Sequence, residues 1–404
     1  MLRPAGEARY LPRVAHQPDN LWIAAALVAW FGQSARELPW RSAVGAPAGC
    51  RRDPYRALVS ELMLQQTQVG RVVDKFRAFI EAFPDAATLA AAPEERVLAC
   101  WSGLGYYRRA KLLHAAAKEI VRSHGGVVPS SVGSLQGLPG VGRYTAGAVA
   151  SMACGQAVAL VDGNVARVLF RIRGRDATQG DAADMAWAWE DAEELVAGAA
   201  AAGVDVPALN EALMELGATV CTPAAPTCDR CPVRERCTGF AQSRQSSIPR
   251  PKPAGVRSVI TCDAVAVLDD RGRILLEQRP ATGMWASMWQ LPTIEEAGRG
   301  WRDREKVAAW IGLGDADQLR RLERFTHTTT HRDVRFTLWM YRSAAVPAGG
   351  GSPGRVWKSR DELGDLGISN AQRRMIARAF ESALSTGGAT LPVGPGRSRR
   401  AAAR

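Results

Sequence analysis

The chain has 404 residues, 47% of them hydrophobic and 23% charged, with a formal net charge of +12. That length excludes a small disulfide-stapled module and predicts at least two compact units with sizeable cores. The positive balance favours a polyanionic partner through counterion release, with nucleic acid the leading candidate.

Residues 21–31 form the longest uninterrupted apolar run, well short of the roughly 20 residues that cross a bilayer. Glu7, Asp19 and prolines precede it and no small-residue cleavage pattern follows. No membrane partner and no signal peptide are expected, and the expected location is cytoplasmic, at the nucleoid through DNA. From Asn20 to about Leu216 the apolar residues recur at helical spacing, as in Val72-Val73-Phe76-Phe79-Ile80 and Val97-Leu98-Trp101. Helix ends are predicted at Pro84-Asp85, Pro93, Gly103-Leu104-Gly105, Gly125-Gly126 and Gly137-Leu138-Pro139-Gly140, giving a helical bundle with short turns. Residues 42–52 read as a surface loop with no assigned role.

Within this half, Glu61 stands in a stretch flanked by Leu58, Val59, Leu62, Met63 and Leu64. Burial among such neighbours raises a carboxyl pKa and makes it a proton donor near neutral pH; an exposed Glu on an amphipathic helix is the commoner alternative. Next, the turn Leu138-Pro139-Gly140-Val141-Gly142 feeds directly into Arg143-Tyr144-Thr145-Ala146. Free N–H groups at such a helix start bind anions, here a DNA phosphate, although plain capping explains the glycines equally well. The apolar run 157–161 ends in Asp162-Gly163-Asn164, followed by Arg167 and Arg171. Asp162 serves there as an N-cap, and N–H donors favour the ionised form of a capping carboxylate, which then faces a developing positive charge.

Four cysteines are crowded within seventeen positions as Cys221-X6-Cys228-X2-Cys231-X5-Cys237, with Pro232 after the third. Only Cys228 and Cys231 form the short pair typical of structural zinc, and the uneven spacing favours a four-thiolate iron-sulfur cluster over zinc. Such a closed site has no open position for substrate and is expected to shape a loop.

Residues 241–258, rich in Ser, Pro and basic side chains, read as an extended linker. Beyond it, 259–261, 264–268 and 274–276 read as strands around a turn at Asp269-Asp270-Arg271-Gly272. Residues 259–385 are therefore expected to be a mixed α and β domain, after a helical domain at 1–240. The Gly-, Pro-, Ala- and Arg-rich end, 386–404, is expected to be a disordered basic tail.

Taken together, Leu38-Pro39-Trp40-Arg41, Asp53-Pro54-Tyr55, residues 61–69, Gly103-Leu104-Gly105-Tyr106-Tyr107, the 138–146 turn, Val161-Asp162-Gly163-Asn164-Val165 and the four cysteines resemble the MutY adenine DNA glycosylases. The resemblance is close over about 21–237 and looser over a Nudix-like region, 264–292 and 325–331. It implies a mainly α helix-hairpin-helix glycosylase domain with an iron-sulfur loop, followed by an α+β Nudix-like domain. It further implies a [4Fe-4S] cluster on Cys221, Cys228, Cys231 and Cys237, and duplex DNA carrying adenine opposite 8-oxoguanine or guanine as partner, bound by a monomer. Glu61 would protonate the leaving adenine, and Asp162 would stabilise or trap the oxocarbenium-like sugar. Asn164 would orient Asp162, and Tyr144 would support the reacting centre. DNA contacts fall on Gln65, on Gln66 and Tyr106 as wedge residues, on Gly140, Val141 and Gly142 of the hairpin, and on Thr330 and His331 as lesion readers.

Position 144 is Lys in the strand-cleaving endonuclease III type; Tyr144 implies hydrolysis without a Schiff base. The family's lesion loop reads Phe-Ser-His, where this chain has Thr329-Thr330-His331. Glu295 and Glu296 stand outside any Glu-rich metal helix, so a recognition module is expected rather than a Nudix hydrolase. His327 and His331 are expected to lie on a strand, with no metal between them. Other readings are a thymine mismatch glycosylase and a noncatalytic iron-sulfur DNA-binding protein, which the second domain and the Glu61–Asp162 combination respectively disfavour.

Overall fold

The computed structural model describes residues 17–41, 50–252, 255–297, 302–343 and 354–385. The chain divides into two compact units, residues 1–254 and 255–404.

The first unit is helical, as the apolar spacing predicts: α1 (Gln17–Ser34), α2 (Pro54–Leu64), α3 (Val69–Ala82), α4 (Ala86–Ala91), α5 (Glu94–Trp101), α6 (Arg108–His124), α7 (Val132–Gln136), α8 (Arg143–Ala148), α9 (Gly163–Arg173), α10 (Ala182–Ala201), α11 (Val206–Thr219) and the short α12 (Thr238–Ala241). Aspartates start five of them: Asp53, Asp85, Asp162, Asp181 and Asp205 each accept a backbone N–H of the first turn, each cap contributing about 1 kcal/mol. Gly125 and Gly174 close α6 and α9 in the left-handed conformation. One apolar cluster joins α1, α9, α10 and α11 through Leu27, Leu169, Leu195 and Leu213. In the α2–α6 region, Trp101 and Phe79 pack edge to face with ring centroids 5.9 Å apart, and both are fully buried. No described helix is long and apolar enough to cross a membrane.

The expectation of one extended linker over 241–258 needs correction. Ile248 is buried, its carbonyl accepts from Arg171 Nε at 2.7 Å, and Arg250 N donates to Ala177 O at 2.8 Å. The segment through Arg250 is thus docked on the helical unit, because Ile248 buries its side chain there and Arg171 satisfies its backbone. The expected tail, 386–404, lies outside the described residues.

The second unit holds a seven-stranded mixed sheet: β1 (Ser258–Leu268), β2 (Ile274–Gln278), β3 (Trp289–Gln290), β4 (Thr293–Ala297), β5 (Arg320–Thr328), β6 (Arg332–Arg342) and β7 (Arg355–Lys358). The main path is β3-β2-β1-β6-β5, with β4 also on β1 and β7 on β2. β1 runs parallel to β6 with Ala264 opposite Leu338, and β5 and β6 are antiparallel. The central β1 is apolar on both faces. Ala264, Ala266 and Leu268 face a core completed by α14 (Asn370–Ser385), whereas Val265 and Val267 face one completed by α13 (Arg304–Ile311). The period-two alternation of side chains accounts for this division. The sequence reading of two short strands before Asp269 becomes a single strand, since Cys262 and Asp263 are buried within it. Glu295 and Glu296 lie on β4, where they pair with Arg279 and Arg302. His327 lies on β5, but residues 329–331 form the turn into β6 rather than continued strand. Thr329 N donates to Arg332 O, and Arg332 N returns to Thr329 Oγ1 at 3.0 Å.

Candidate active site

A cavity of about 520 Å³ opens in the helical unit, lined by Glu61, Gln65, Gln66, Tyr144, Asp162 and Asn164 among others. That volume lies in the range of sites that enclose a small ligand. The lining comes from segments far apart in the chain, so burial and pairing rather than local pattern create its chemistry.

Glu61 occupies the last turns of α2, whose other side chains are almost all buried, and only 3% of its surface is exposed. The Tyr144 hydroxyl, from α8, donates to Glu61 Oε2 at 2.8 Å. Burial pushes the Glu61 carboxyl up to about 7, and the neighbouring Asp162 adds to the rise while the Tyr144 hydrogen bond opposes it. A proton on this group therefore sits on Oε1, the oxygen Tyr144 leaves vacant. The Tyr144 hydroxyl itself titrates far above its ordinary range, through burial and the nearby carboxylates.

Asp162 caps α9 as its position predicts. Its Oδ1 accepts from Asn164 N at 2.8 Å and Val165 N at 2.7 Å, and its Oδ2 accepts from Asn164 Nδ2 at 3.0 Å. The carboxylate is immobilised at the cavity wall by three donors. Asn164 is held in turn: Arg167 Nη2 donates to Asn164 Oδ1 and to Gly217 O, each at 2.8 Å. Gly217 permits this fit, because a Cβ there would lie 2.8 Å from Asn164 Cβ. The same arginine donates through Nε to Cys221 O at 2.9 Å, linking the capped carboxylate to the cysteine loop.

One wall was not legible in the sequence. Glu211 and Glu215, on α11, are buried and matched by arginines from the chain's first segments. Arg52 lies 2.5 Å and Arg41 3.1 Å from Glu211; Arg36 lies 2.6 Å and Arg41 2.9 Å from Glu215. Partners about 160 to 180 residues apart leave no spacing signal; only Arg41 stood in a motif already singled out.

Cys221, Cys228, Cys231 and Cys237 line one small cavity together with Arg171 and Arg234. All four are free and half-buried, and Arg171 Nη1 donates to Cys221 Sγ at 3.3 Å. Burial and mutual proximity push the Cys231 thiol up to about 12 and raise Cys228 and Cys237 as well. Among the described residues, no group of His, Cys, Asp or Glu side chains is arranged to hold a metal ion. The fit to a cofactor rests on the donor set: four soft thiols on one cavity beside a cation.

The residues expected from the sequence to contact DNA fall into three places. Gln66 and Tyr106 are exposed and both have left-handed backbones, with φ of 54° and 48°; Gln65 reaches Thr145 Oγ1 at 3.5 Å. Buried Arg109 joins their two loops, donating to Leu62 O, Met63 O and Gln65 O on one side and to Gly105 O on the other at 2.5 to 3.1 Å. In the hairpin, Gly140 and Gly142 are exposed. Val141 differs, its side chain buried and its N–H donated to Leu138 O at 3.1 Å. Gly140 has φ of 79°, and a Cβ there would meet Leu112 Cβ at 2.7 Å. In the second unit, Thr330 and His331 are exposed at the β5–β6 turn.

Residues 59–191 match the HhH-GPD superfamily of base excision DNA repair proteins, and residues 264–378 match the NUDIX domain. The human adenine DNA glycosylase is 33% identical over 407 residues, spanning 87% of this chain and 72% of its own. The mouse adenine DNA glycosylase is likewise 33% identical, over 88% of this chain and 77% of its own. That of Mycolicibacterium smegmatis is 44% identical over 217 residues, 53% of this chain and 69% of its own. With both domains matched in order and the paired acids in one cavity, the chain belongs to the MutY-type adenine DNA glycosylases, enzymes of base excision repair.

Proposed function

We propose that this enzyme hydrolyses the N-glycosidic bond of adenine paired with 8-oxoguanine, or with guanine, in duplex DNA, leaving an abasic site without cutting the strand. The observation that carries the reading is the buried Glu61–Tyr144 hydrogen bond of 2.8 Å at a carboxyl that keeps its proton near neutral pH. Glu61 Oε1 delivers that proton to the leaving adenine. Bond cleavage then develops positive charge on the sugar, and Asp162, pinned by Asn164 and two backbone N–H groups, faces that charge. Water then attacks the sugar carbon, either directly or by displacing Asp162 from a transient ester, and yields its proton to the Glu61 carboxylate left by the first transfer, giving the abasic sugar. Tyr144 supplies no amine, so no Schiff base forms and no strand break follows.

The adenine must leave the helix to reach a buried acid. Gln66 and Tyr106, held in left-handed conformations by the Arg109-braced loops, fill the gap it leaves. Exposed N–H groups at Gly140 and Gly142 bind a backbone phosphate. Thr330 and His331 offer a hydroxyl and an imidazole to the oxidised guanine, without the aromatic that the family's loop carries. A [4Fe-4S] cluster suits Cys221, Cys228, Cys231 and Cys237; it would act as a closed structural element that fixes the loop beside Arg167 and Arg171.

The test is single-turnover cleavage, with alkali revealing abasic sites, of duplexes carrying adenine opposite 8-oxoguanine, adenine opposite guanine, or thymine opposite guanine. Adenine release that is lost in Glu61→Gln supports the reading. Release of thymine alone, or unchanged activity in the variant, refutes it.

A further inference from the structure

The segment 42–52 has no role in the proposed reaction apart from Arg52, and its last residues, 50–52, pair with the chain beyond α8. Arg51 N donates to Ala153 O at 2.7 Å, and Arg52 N points to the same oxygen at 3.4 Å. Ala153 closes a single π-helical turn, Val149–Ala153, that continues α8. The residue before Arg51 and the residue after Ala153 are both cysteines. This backbone pairing sets Cys50 beside Cys154, and their thiols are hydrogen-bonded to each other. Both are free and half-buried, and neither is among the four that line the cysteine cavity.

We propose that Cys50 and Cys154 are a dithiol–disulfide pair, a site of reversible oxidation that fastens the segment entering α2 to the wall of the excision pocket. The fastening bears on that pocket because Arg52, two residues from Cys50, pairs with Glu211 at 2.5 Å, and both line the cavity with Glu61. Met152, two residues before Cys154, lines it too.

The oxidant is a hydroperoxide, or a small-molecule disulfide acting by exchange. Burial and the adjacent Cys50 push the Cys154 thiol up to about 12, which suits Cys154 to the second, resolving step, where it is already held against its partner sulfur. The Cys50 sulfur displaces water from hydrogen peroxide and becomes a sulfenic acid. Cys154 then attacks that sulfur, gives up its proton and expels a second water as the S–S bond forms. Two thiols have lost two protons and two electrons, and the peroxide has taken them as two waters. A cellular thiol returns both electrons, as expected of a transient rather than a structural disulfide in a reducing compartment.

The experiment uses full-length holoenzyme, oxidised with hydrogen peroxide or with oxidised glutathione, then alkylated, digested and mapped by mass spectrometry. The cluster's visible absorbance is followed in parallel, so that loss of cluster thiols is read separately. The expected product is a Cys50–Cys154 cross-linked peptide lighter by two hydrogens, reversed by thiol and missing from Cys50→Ser. The oxidised wild type is expected to unfold at a higher temperature than the reduced form, with no such difference in Cys50→Ser, because the bond constrains the unfolded chain. Separate alkylation of both cysteines after oxidation, over-oxidation of Cys50 to a sulfinic acid, or pairing of either with another cysteine overturns the proposal. A cross-link that leaves the unfolding temperature unchanged overturns the fastening.

Discussion

Tyr144→Phe removes one oxygen from the excision pocket and isolates the interaction on which the acid depends. Two influences oppose each other at Glu61: burial raises its pKa, and the Tyr144 hydroxyl at 2.8 Å lowers it by bonding the charged form more strongly than the neutral one. A hydrogen bond to a charged group contributes about 1.5–3 kcal/mol, part of which remains with the neutral acid. One pKa unit corresponds to about 1.4 kcal/mol, so losing the bond raises Glu61 by about one unit. The working form is the protonated one, depleted as pH rises through about 7. The alkaline limb of the single-turnover excision rate is therefore expected near neutrality in the wild type and about one unit higher in Tyr144→Phe. Rates across the pH range on the same duplex read this directly. A limb that stays in place, or moves down, refutes Glu61 as the titrating acid or Tyr144 as its modulator.

Two further outcomes follow from the same geometry. A folded-state pKa of about 7 against an ordinary 4.5 means that the folded state binds the Glu61 proton more tightly. Its contribution to stability is fully present below about 4.5 and is lost as pH rises through about 7, a change of about 3 kcal/mol. Glu61→Gln should thus be more stable than wild type in denaturant melts at about pH 8, with the gap closing towards pH 4; a gap of constant size contradicts the assigned pKa. Arg109→Ala takes the guanidinium donor from Leu62 O, Met63 O, Gln65 O and Gly105 O, of which Gln65 O keeps Thr67 Oγ1 and Gly105 O keeps Trp101 Nε1, at a cost of about 3 kcal/mol. It is expected to destabilise the helical unit and to weaken binding of mispaired duplex, and Arg109→Lys, which cannot span both loops, should recover little of either. Full binding by a folded Arg109→Ala protein would show that the two loops need no common brace.

Much of the site was legible because its signals are local. Asp162 as an N-cap depends on donors two and three residues ahead, and the helix ends depend on Pro and Gly at single positions. The cysteine spacing is a property of seventeen consecutive residues. The 138–146 turn was legible as a turn into a helix but not in detail: the glycines are exposed, whereas Val141 turned inward because its side chain and its N–H both found partners inside the fold. The docked Arg250 segment misled for the opposite reason, since its Ser-, Pro- and Arg-rich composition reads as solvated while Ile248 anchors it.

The sequence by itself determined the helical-then-mixed order of the two units, the four-thiol loop, the capped Asp162 and the absence of an amine at position 144. These follow from periodicity, capping and residue type, which act within a few positions along the chain. Only the tertiary structure decided that Glu61 is buried, that a hydroxyl 83 positions away meets it, and that Arg36, Arg41 and Arg52 neutralise two glutamates on α11. It alone set Arg109 between the loops of Gln66 and Tyr106 and Cys50 beside Cys154. Burial and long-range pairing are properties of the packed chain, and the chemistry of this pocket rests on both.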